Sequence, residues 1–170
     1  MKYLVVSDSH GNHQIIEEIA ELWKNQMDAM FHCGDSESLA TDKVWENFFV
    51  VRGNMDYDVT YPDAITKTFG DDTIFMTHGH LYGINFSFDR LLAAAKEVDA
   101  NICLYGHLHR AAAFKEDGIL FLNPGSIQEP RGEVRIKAYA IIDSQADKYE
   151  IQYYDNKHRK IEELYFLIDK

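Results

Sequence analysis

Five short apolar runs in this chain each end in a small group of residues of the kind that binds metal ions. The five groups are Asp8-Ser9-His10, Gly34-Asp35, Gly53-Asn54, His78-Gly79-His80 and Gly106-His107-Leu108-His109. The first run, Leu4-Val5-Val6, has the length and composition of a strand that is buried on both faces, as in the middle of a parallel sheet. Ligands of open α/β sheets bind at the carboxyl ends of such strands, so we expect the five groups to share one rim.

Each group taken singly has an ordinary alternative, because a glycine followed by Asp35 or Asn54 is common in turns and a histidine pair is often structural. Together the groups supply two carboxylates, at least three imidazoles and an amide oxygen. Donors crowded in this way require a divalent cation, and the mixture of oxygen and nitrogen suits Mn, Fe, Zn, Co or Ni rather than Ca. The donors are too numerous for one ion, and two ions that share a carboxylate fit better.

The spacing of apolar residues predicts one α/β domain over residues 1–170, with two sheets stacked face to face. Apolar residues at helical spacing predict helices over 12–25, 87–98 and, more weakly, 38–47. Further strands are predicted over 27–33, 48–51, 64–69, 73–76, 101–104, 111–115, 119–122, 134–142 and 148–154. The tail carries Ile161, Leu164, Tyr165 and Ile168 at helical spacing. We therefore expect a short amphipathic helix over 157–170, docked on the body, with a contact between subunits as the alternative role of this segment.

Composition narrows the class of protein and its partners. No run of about 18 apolar residues is present, so no membrane span is expected, and the start of the chain does not resemble an export signal. Cys33 and Cys103 each lie in an apolar run, which predicts buried free thiols and suits a reducing cytoplasm. The net charge of −11 opposes strong non-specific binding to nucleic acid, although a small phosphorylated substrate remains compatible with a locally cationic site.

The order of the five groups resembles that of the calcineurin-like metallophosphoesterases. The compact length and the segment Asn123-Pro124-Gly125-Ser126 resemble the small bacterial and archaeal phosphodiesterase branch, the YfcE/MJ0936-like proteins, and the retromer subunit Vps29 is similar in fold. The resemblance covers residues 2 to about 154. It implies a four-layer α/β/β/α sandwich of two mixed sheets flanked by helices, with the site at the rim of both sheets.

The resemblance also implies a ligand set. Carried over position by position, one metal ion is held by Asp8, His10 and His109, and a second by Asn54, His78 and His107. Asp35 bridges the two ions. The implied cofactor is a pair of divalent ions, Mn²⁺ first, with Ni²⁺, Fe²⁺, Co²⁺ or Zn²⁺ as alternatives.

The implied activity is metal-dependent hydrolysis of a small phosphoester, a phosphodiester in particular, by a water that the two ions activate. The seven ligands then form the catalytic set, no protein nucleophile is needed, and Asn54 and His80 are candidates for contact with the substrate. The alternatives are a non-catalytic, Vps29-like interaction scaffold and a regulatory, metal-dependent nucleotide binder. Retention of His10 favours the enzyme over the scaffold, since the scaffold has lost a metal histidine there. Homo-oligomerisation is left open.

One position departs from the family pattern. Many relatives read Gly-Asn-His-Asp or Gly-Asn-His-Glu, where the histidine is a proposed general acid, but this chain reads Gly53-Asn54-Met55-Asp56. A methionine cannot donate a proton, and Asp56 is the remaining local candidate for that role. Of the other histidines, we expect His32 to be structural and His158 to lie on the surface.

Overall fold

The computed structural model describes residues 1–170 as eleven strands, two α-helices and short 3₁₀ turns. The helices are α1 (His13–Trp23) and α2 (Asp89–Glu97). The strands are β1 (Lys2–Val6), β2 (Ala29–His32), β3 (Phe49–Val50), β4 (Ala64–Phe69), β5 (Asp72–Thr77), β6 (Ile102–Leu104), β7 (Ala111–Glu116), β8 (Ile119–Pro124), β9 (Ala138–Ser144), β10 (Lys148–Asp155) and β11 (Lys160–Asp169).

The strands form two mixed sheets. The first has the order β11-β10-β9-β1-β2-β3, in which β1, β2 and β3 run parallel and the other pairings are antiparallel. The second has the order β4-β5-β6-β8-β7, with β5, β6 and β8 parallel between two antiparallel edge strands. Because each sheet has a parallel core, the carboxyl ends of several strands meet at one rim of each sheet.

Three apolar clusters separate four layers in the order helix, sheet, sheet, helix. The largest cluster lies between the sheets and includes Tyr3, Phe31 and Met76. A second cluster packs α1, through residues such as Ile16, against the first sheet, and a third packs α2, through Leu91, against the second sheet. The expected α/β/β/α sandwich of two mixed sheets is therefore confirmed.

Local sequence explains the start of α1 directly. Asn12 precedes the helix, and its side-chain oxygen accepts a hydrogen bond from the backbone N–H of Ile15 at 3.4 Å. This N-cap satisfies one of the free N–H groups of the first turn. The predicted helix over 12–25 is confirmed, and it follows at once after the first ligand group.

The tail was predicted as a helix, and this prediction is wrong. Residues Lys160–Asp169 form β11, which pairs antiparallel with β10 at the edge of the first sheet. A register shift between Gln152 and Tyr154 breaks the two-residue alternation, so Ile161 and Leu164, three residues apart, are both buried. That spacing imitates a helical stripe in the sequence.

The weaker helix predicted over 38–47 is also corrected. Only Lys43–Asn47 is helical, as a 3₁₀ turn that buries Val44 and Trp45. The preceding residues, from Ser36 onward, form a loop. Ser36 in this loop hydrogen-bonds to Asp56 and to the backbone N–H of Gly11, next to the ligand groups described below. Local hydrogen bonds of serine and aspartate compete with helix formation in such a segment.

Two further expectations concern the cysteines and the membrane. Cys33 and Cys103 are both free and buried, as predicted, and burial raises the pKa of both thiols. A thiol with a raised pKa is a poor nucleophile, so both residues act as core side chains. None of the helices is long and apolar enough to cross a bilayer.

A hydroxyl between the sheets provides the first testable prediction. Tyr153 of β10 is fully buried, and its hydroxyl lies 2.9 Å from the carbonyl oxygen of Ala112 and 2.8 Å from that of Asn123, both in the second sheet. Tyr153→Phe leaves these carbonyls without that donor, so we expect the free energy of unfolding to fall by about 1–3 kcal/mol. Urea denaturation measures this change.

The matched control is Tyr154→Phe on the same strand. Tyr154 stacks on Tyr139 with ring centroids 5.5 Å apart, and its hydroxyl makes no hydrogen bond to the protein. Loss of that hydroxyl should change stability by less than about 0.5 kcal/mol. Equal losses for the two variants would contradict the role given to the inter-sheet hydroxyl.

Candidate metal centre

The ligand groups follow strands whose parallel pairing continues past the strand ends. The backbone N–H of Asp8 donates to the carbonyl of Gly34 at 3.0 Å, and that of His10 donates to the carbonyl of Asp35 at 3.1 Å. In the second sheet the N–H of Gly106 donates to the carbonyl of His78 at 3.1 Å. The loops that carry the candidate ligands are therefore aligned by the same ladders that build the sheets.

At these strand ends the backbone turns through a conformation that side-chain-bearing residues seldom adopt. Five candidate ligands have φ between 44° and 66°: Asp8, His10, Asp35, His107 and His109. Aspartate and histidine are enriched in this left-handed region, but each such residue still costs about 1–3 kcal/mol and clusters of them mark functional sites. The turns bring side chains from five loops over one rim.

Two glycines allow those loops to approach each other. A Cβ atom at Gly53 would overlap the carboxylate of Asp35, and one at Gly106 would overlap the hydroxyl of Ser7 and lie 3.0 Å from Asp8 Oδ2. The absence of a side chain at these two positions therefore permits the close approach of the ligand loops.

One compact group of donors is formed by Asp8, His10, Asp35 and His109, whose ligand atoms all lie within 4.8 Å of one another. Asp8, Asp35 and His109 are buried and His10 is half-buried. Asp8 Oδ1 lies 2.9 Å from His109 Nε2, yet this oxygen is not aligned for a hydrogen bond with any neighbour.

A second group adjoins the first through Asp35. Asn54 Oδ1 lies 2.9 Å from His107 Nδ1 and 3.2 Å from His78 Nε2. Asp35 Oδ2 lies 3.3 Å from the same His78 nitrogen, so its carboxylate touches both groups. All seven residues singled out as metal ligands in the sequence therefore lie together, in two adjoining sets with Asp35 between them.

Three of the imidazoles are oriented by acceptors behind them. His10 Nδ1 lies 2.7 Å from Glu37 Oε1, His78 Nδ1 lies 2.7 Å from the carbonyl oxygen of Cys33, and His109 Nδ1 lies 2.7 Å from that of Glu129. These acceptors assign the proton of the neutral ring to Nδ1, which leaves the lone pair of Nε2 facing the centre. Backbone carbonyls and carboxylates hold metal-binding histidines in this way.

The donors fit a divalent cation. Asp8 Oδ1 and His10 Nε2 are buried and have no hydrogen-bond partner, and both belong to the compact group. Buried polar atoms almost always make hydrogen bonds, so two buried acceptors of one donor group that make none favour a cation as their partner. Carboxylate, imidazole and amide donors without a thiolate match the ligands of Mn, Fe, Co, Ni and Zn sites.

Hydrogen bonds and neighbouring charges shift the pKa values of three proposed ligands, Asp35, His78 and His109. Burial by itself would raise the pKa of Asp35, but the hydrogen bond and charge of His78, together with the N–H of Met55, lower it to about 2. Burial would lower the pKa of His78 and His109, but the carboxylates of Asp35 and Asp8 outweigh it and raise both. A metal ion binds the neutral imidazole, so the raised pKa values of these two residues mean that protons compete with metal at the centre.

Asp56 holds the ligand loop through both of its carboxylate oxygens. Its Oδ2 accepts from the N–H of Asp35 at 2.9 Å and of Gly53 at 2.7 Å. Its Oδ1 accepts from the N–H of Ser36 at 2.8 Å, from the hydroxyl of the same serine at 2.8 Å, and from the N–H of Glu37 at 2.7 Å. Both oxygens are occupied as acceptors, so the suggestion that Asp56 could serve as the general acid is wrong.

Three histidines that are not proposed metal ligands, His32, His80 and His158, lie in different environments. His32 is fully buried between the hydroxyl of Ser9 at 2.9 Å and the N–H of Gly34 at 3.2 Å, and burial lowers its pKa to about 4, so its structural role is confirmed. His158 was expected on the surface but is half-buried, 3.1 Å from the hydroxyl of Tyr139. His80 is half-buried beside the centre, with its ring centroid 5.3 Å from that of His78.

The centre opens into a cleft of about 270 Å³. Its lining residues are His10, Asp35, Glu37, Asn54, Met55, His107, His109, Glu129 and Arg131. Glu37 and Arg131 were not singled out in the sequence. Glu37 follows Asp35 by two residues, as His10 follows Asp8, and this spacing could have identified Glu37 as a residue of the site. No local sequence pattern marks Arg131.

Comparison with known proteins gives one consistent family. The model of the calcineurin-like phosphoesterase superfamily domain matches residues 1–147. The chain is 37% identical to the probable metallophosphoesterase YsnB of Bacillus subtilis over 164 residues, which is 96% of each protein. It is 28% identical to the phosphodiesterase MJ0936 of Methanocaldococcus jannaschii over 144 residues, covering 74% of this chain and 83% of that one.

A solved structure is similar over nearly the whole length. The crystal structure of a predicted phosphoesterase from Streptococcus pneumoniae superposes with a TM-score of 0.97 at 41% identity, covering 99% of this chain and 97% of the other. The layer order and the rim of ligand loops therefore belong to a fold shared with phosphoesterases.

The hydrogen bonds of Asp56 lead to a prediction at this centre. In Asp56→Asn the new amide group, in either orientation, faces at least two backbone N–H groups instead of accepting from them. We expect the free energy of unfolding of the metal-free protein to fall by about 3 kcal/mol and divalent metal to bind more weakly. Urea denaturation and metal titration measure the two effects.

Asp58→Asn is the control, because Asp58 is near in sequence and accepts from the backbone N–H groups of Ala40 and Thr60. Because Asp58 lies at the surface, we expect a much smaller loss of stability than for Asp56→Asn, with metal affinity unchanged. A variant of Asp56 that kept both stability and metal affinity would show that this carboxylate does not hold the ligand loop.

Proposed function

Because this chain belongs to the calcineurin-like phosphoesterase superfamily, we propose that it is a phosphodiesterase that uses two divalent metal ions. The substrate is a small phosphoester. The observation that carries the proposal is the pair of adjoining donor groups that both contact Asp35. Two buried free thiols suit a reducing compartment, and we assign the activity to the cytoplasm.

The proposed ligand set divides between the two groups. Asp8, His10 and His109 hold one ion, and Asn54, His78 and His107 hold the other, with Asp35 shared. Mn²⁺ is the proposed metal, and Ni²⁺, Fe²⁺, Co²⁺ and Zn²⁺ suit the same donors. Divalent ions bound there would acidify a water for attack and take up charge from the phosphoryl oxygens.

Neighbouring groups orient the proposed ligands and limit the negative charge at the centre. Glu37 behind His10, and the carbonyls behind His78 and His109, keep the three Nε2 atoms facing the centre. Asn54 contributes a neutral amide oxygen, which leaves more positive charge for the phosphoryl group than a third carboxylate would.

His80 is the proposed further contact to the substrate. Burial lowers its pKa, and the nearby imidazoles of His78 and His107 lower it further, so the ring is neutral near pH 7. Its buried Nδ1 has no hydrogen-bond partner in the protein. A neutral imidazole with a free nitrogen beside the centre suits contact with a phosphoryl oxygen.

The direct test is hydrolysis by the metal-reconstituted protein. The wild type loaded with Mn²⁺ should hydrolyse bis(p-nitrophenyl) phosphate and contain two metal ions per chain by elemental analysis. His10→Gln should lose metal and slow hydrolysis by about 10²-fold or more, by analogy with the loss of one preorganised charge-stabilising group. The control His158→Gln removes an imidazole that hydrogen-bonds Tyr139, outside the centre, and should keep both metal and rate.

Complete absence of turnover with all five metals would overturn the proposal and favour the scaffold interpretation. One metal ion per active chain would keep the enzyme and reject the two-metal centre.

The substitution at position 55 leads to a second prediction. The Met55 side chain is 42% exposed and lines the cleft, its N–H donates to Asp35, and Asp56 is fully engaged elsewhere. Without an acid at this place, aryl esters should be cleaved about 10² to 10⁴ times faster than alkyl esters of matched shape. A plot of log rate against leaving-group pKa should be steep for the wild type and flatter for Met55→His.

Tyr57→His serves as the control, since it introduces a histidine two residues away at a side chain that is 86% exposed and outside the cleft lining. It should leave the slope unchanged. If the wild-type plot is flat while chemistry limits the rate, another acid acts and His80 becomes the candidate.

A further inference from the structure

A larger cleft adjoins the metal centre and shares two residues with it. This cleft has a volume of about 550 Å³, and His107 and Arg131 belong to its lining and to that of the smaller cleft. Its other lining residues are Ile84, Asn85, Phe86, Ser87, Phe88, Leu108 and Arg110. A substrate held at the metal centre would therefore extend into this space, which we call the arginine cleft.

The arginine cleft concentrates positive charge in an acidic protein. The chain has 28 acidic and 17 basic residues, yet the cleft is lined by two of its six arginines and by no carboxylate. Arg52 and Arg159 form ion pairs elsewhere, whereas neither Arg110 nor Arg131 has a carboxylate within 4 Å. Both guanidinium groups are thus free to bind an anion from outside the chain.

The backbone fixes both arginines relative to the centre. Arg131 donates its N–H to the carbonyl of His109 at 2.8 Å, while His109 in turn contacts the carbonyl of Glu129. Arg110 follows His109 directly, and its Cγ lies only 3.2 Å from where a Cβ would stand at Gly132, a residue with φ of 91°. His109, a proposed metal ligand, therefore positions the backbone at both arginines.

A second wall of the cleft, residues 84–88, carries three apolar side chains and is also connected to the centre. Asn85 Nδ2 lies 3.0 Å from His107 Nε2, which connects this wall to another proposed ligand. The neighbouring Phe86 is 96% exposed, while Phe88 packs into the body against Tyr105 with ring centroids 5.3 Å apart. An almost fully exposed phenylalanine at the mouth of a cleft offers a flat surface on which a planar ring can stack.

We propose that the arginine cleft binds a second phosphate group of the substrate, joined to the scissile phosphoester through a cyclic organic group that lies along Phe86. The proposal rests on the phosphoesterase function proposed above and names the substrate class for the same site. A phosphate carries a charge near −2 at neutral pH, which two guanidinium groups match, and the guanidinium fork pairs with phosphate oxygens in bidentate geometry.

The test uses two substrates that differ only by the second phosphate. The p-nitrophenyl ester of thymidine 5′-phosphate is compared with the same ester carrying a 3′-phosphate, and release of p-nitrophenol is followed for both. In the wild type the 3′-phosphate should lower KM about tenfold or more, as expected for charge-assisted hydrogen bonds to arginine. In Arg110→Gln and Arg131→Gln the ratio of the two KM values should approach one.

Arg90→Gln is the matched control, since it removes the same charge from an exposed position on α2 outside the cleft lining. It should preserve the KM ratio. Phe86→Ala should raise KM for both thymidine esters about fivefold or more through loss of stacking, and should leave the ratio intact.

Binding gives a readout that does not depend on turnover. The Kd of thymidine 3′,5′-bisphosphate for the Mn²⁺-loaded protein should be about tenfold lower than that of thymidine 5′-phosphate, and the two values should converge in Arg131→Gln. Equal Kd values in the wild type would overturn the proposal even if the protein hydrolyses both esters. Binding preference without hydrolysis would uphold the cleft and reject the phosphoesterase function instead.

Discussion

The burial of two carboxylates side by side is the constraint on which the rest of the molecule depends. Asp8 and Asp35 are almost inaccessible to solvent and belong to one group of donors within 4.8 Å. Like charges in such a place repel strongly unless a positive partner lies between them or beside them. In the protein alone, the imidazoles of His78 and His109 lie next to these carboxylates, and the carboxylates raise the pKa of both rings. Three features keep that arrangement in place. They are the left-handed turns, the glycines that leave no room for a side chain, and the five hydrogen bonds to Asp56.

The two sheets contribute to the centre in a fixed division. The loops after β1, β2 and β3 supply the carboxylates, one imidazole and the amide oxygen, while the loops after β5 and β6 supply the remaining imidazoles. The arginine cleft differs in this respect, because its lining residues lie on segments that follow β5, β6 and β8, all strands of the second sheet. The chemistry therefore depends on the relative position of the sheets, which the core between them holds through residues such as Tyr153.

Local signals, namely strand periodicity and the polar residues that end each strand, predicted most strands, two stacked sheets and the convergence of the five ligand groups. The four-layer order and the choice of seven ligands came from the resemblance to the calcineurin-like family. Prediction from the sequence failed for β11, because a register shift against β10 placed Ile161 and Leu164 on one face at helical spacing. It also failed for Asp56, because its partners Asp35, Ser36 and Glu37 lie about 20 residues away in the chain and meet it only after folding. Arg110 and Arg131 were not predicted for the same reason. A single arginine forms no sequence pattern, and the residues that line the cleft come together only in the folded chain.

The division of the donors between two sheets has a consequence for the lifetime of the protein in a cell. An ion that contacts both sheets would bind the native chain and have little affinity for the unfolded one. Metal at 100 times its Kd would then add about 2.7 kcal/mol to the free energy of unfolding, and the unfolded fraction available to proteases would fall about a hundredfold. The abundance of this chain, and not only its turnover, would thus follow the supply of divalent metal.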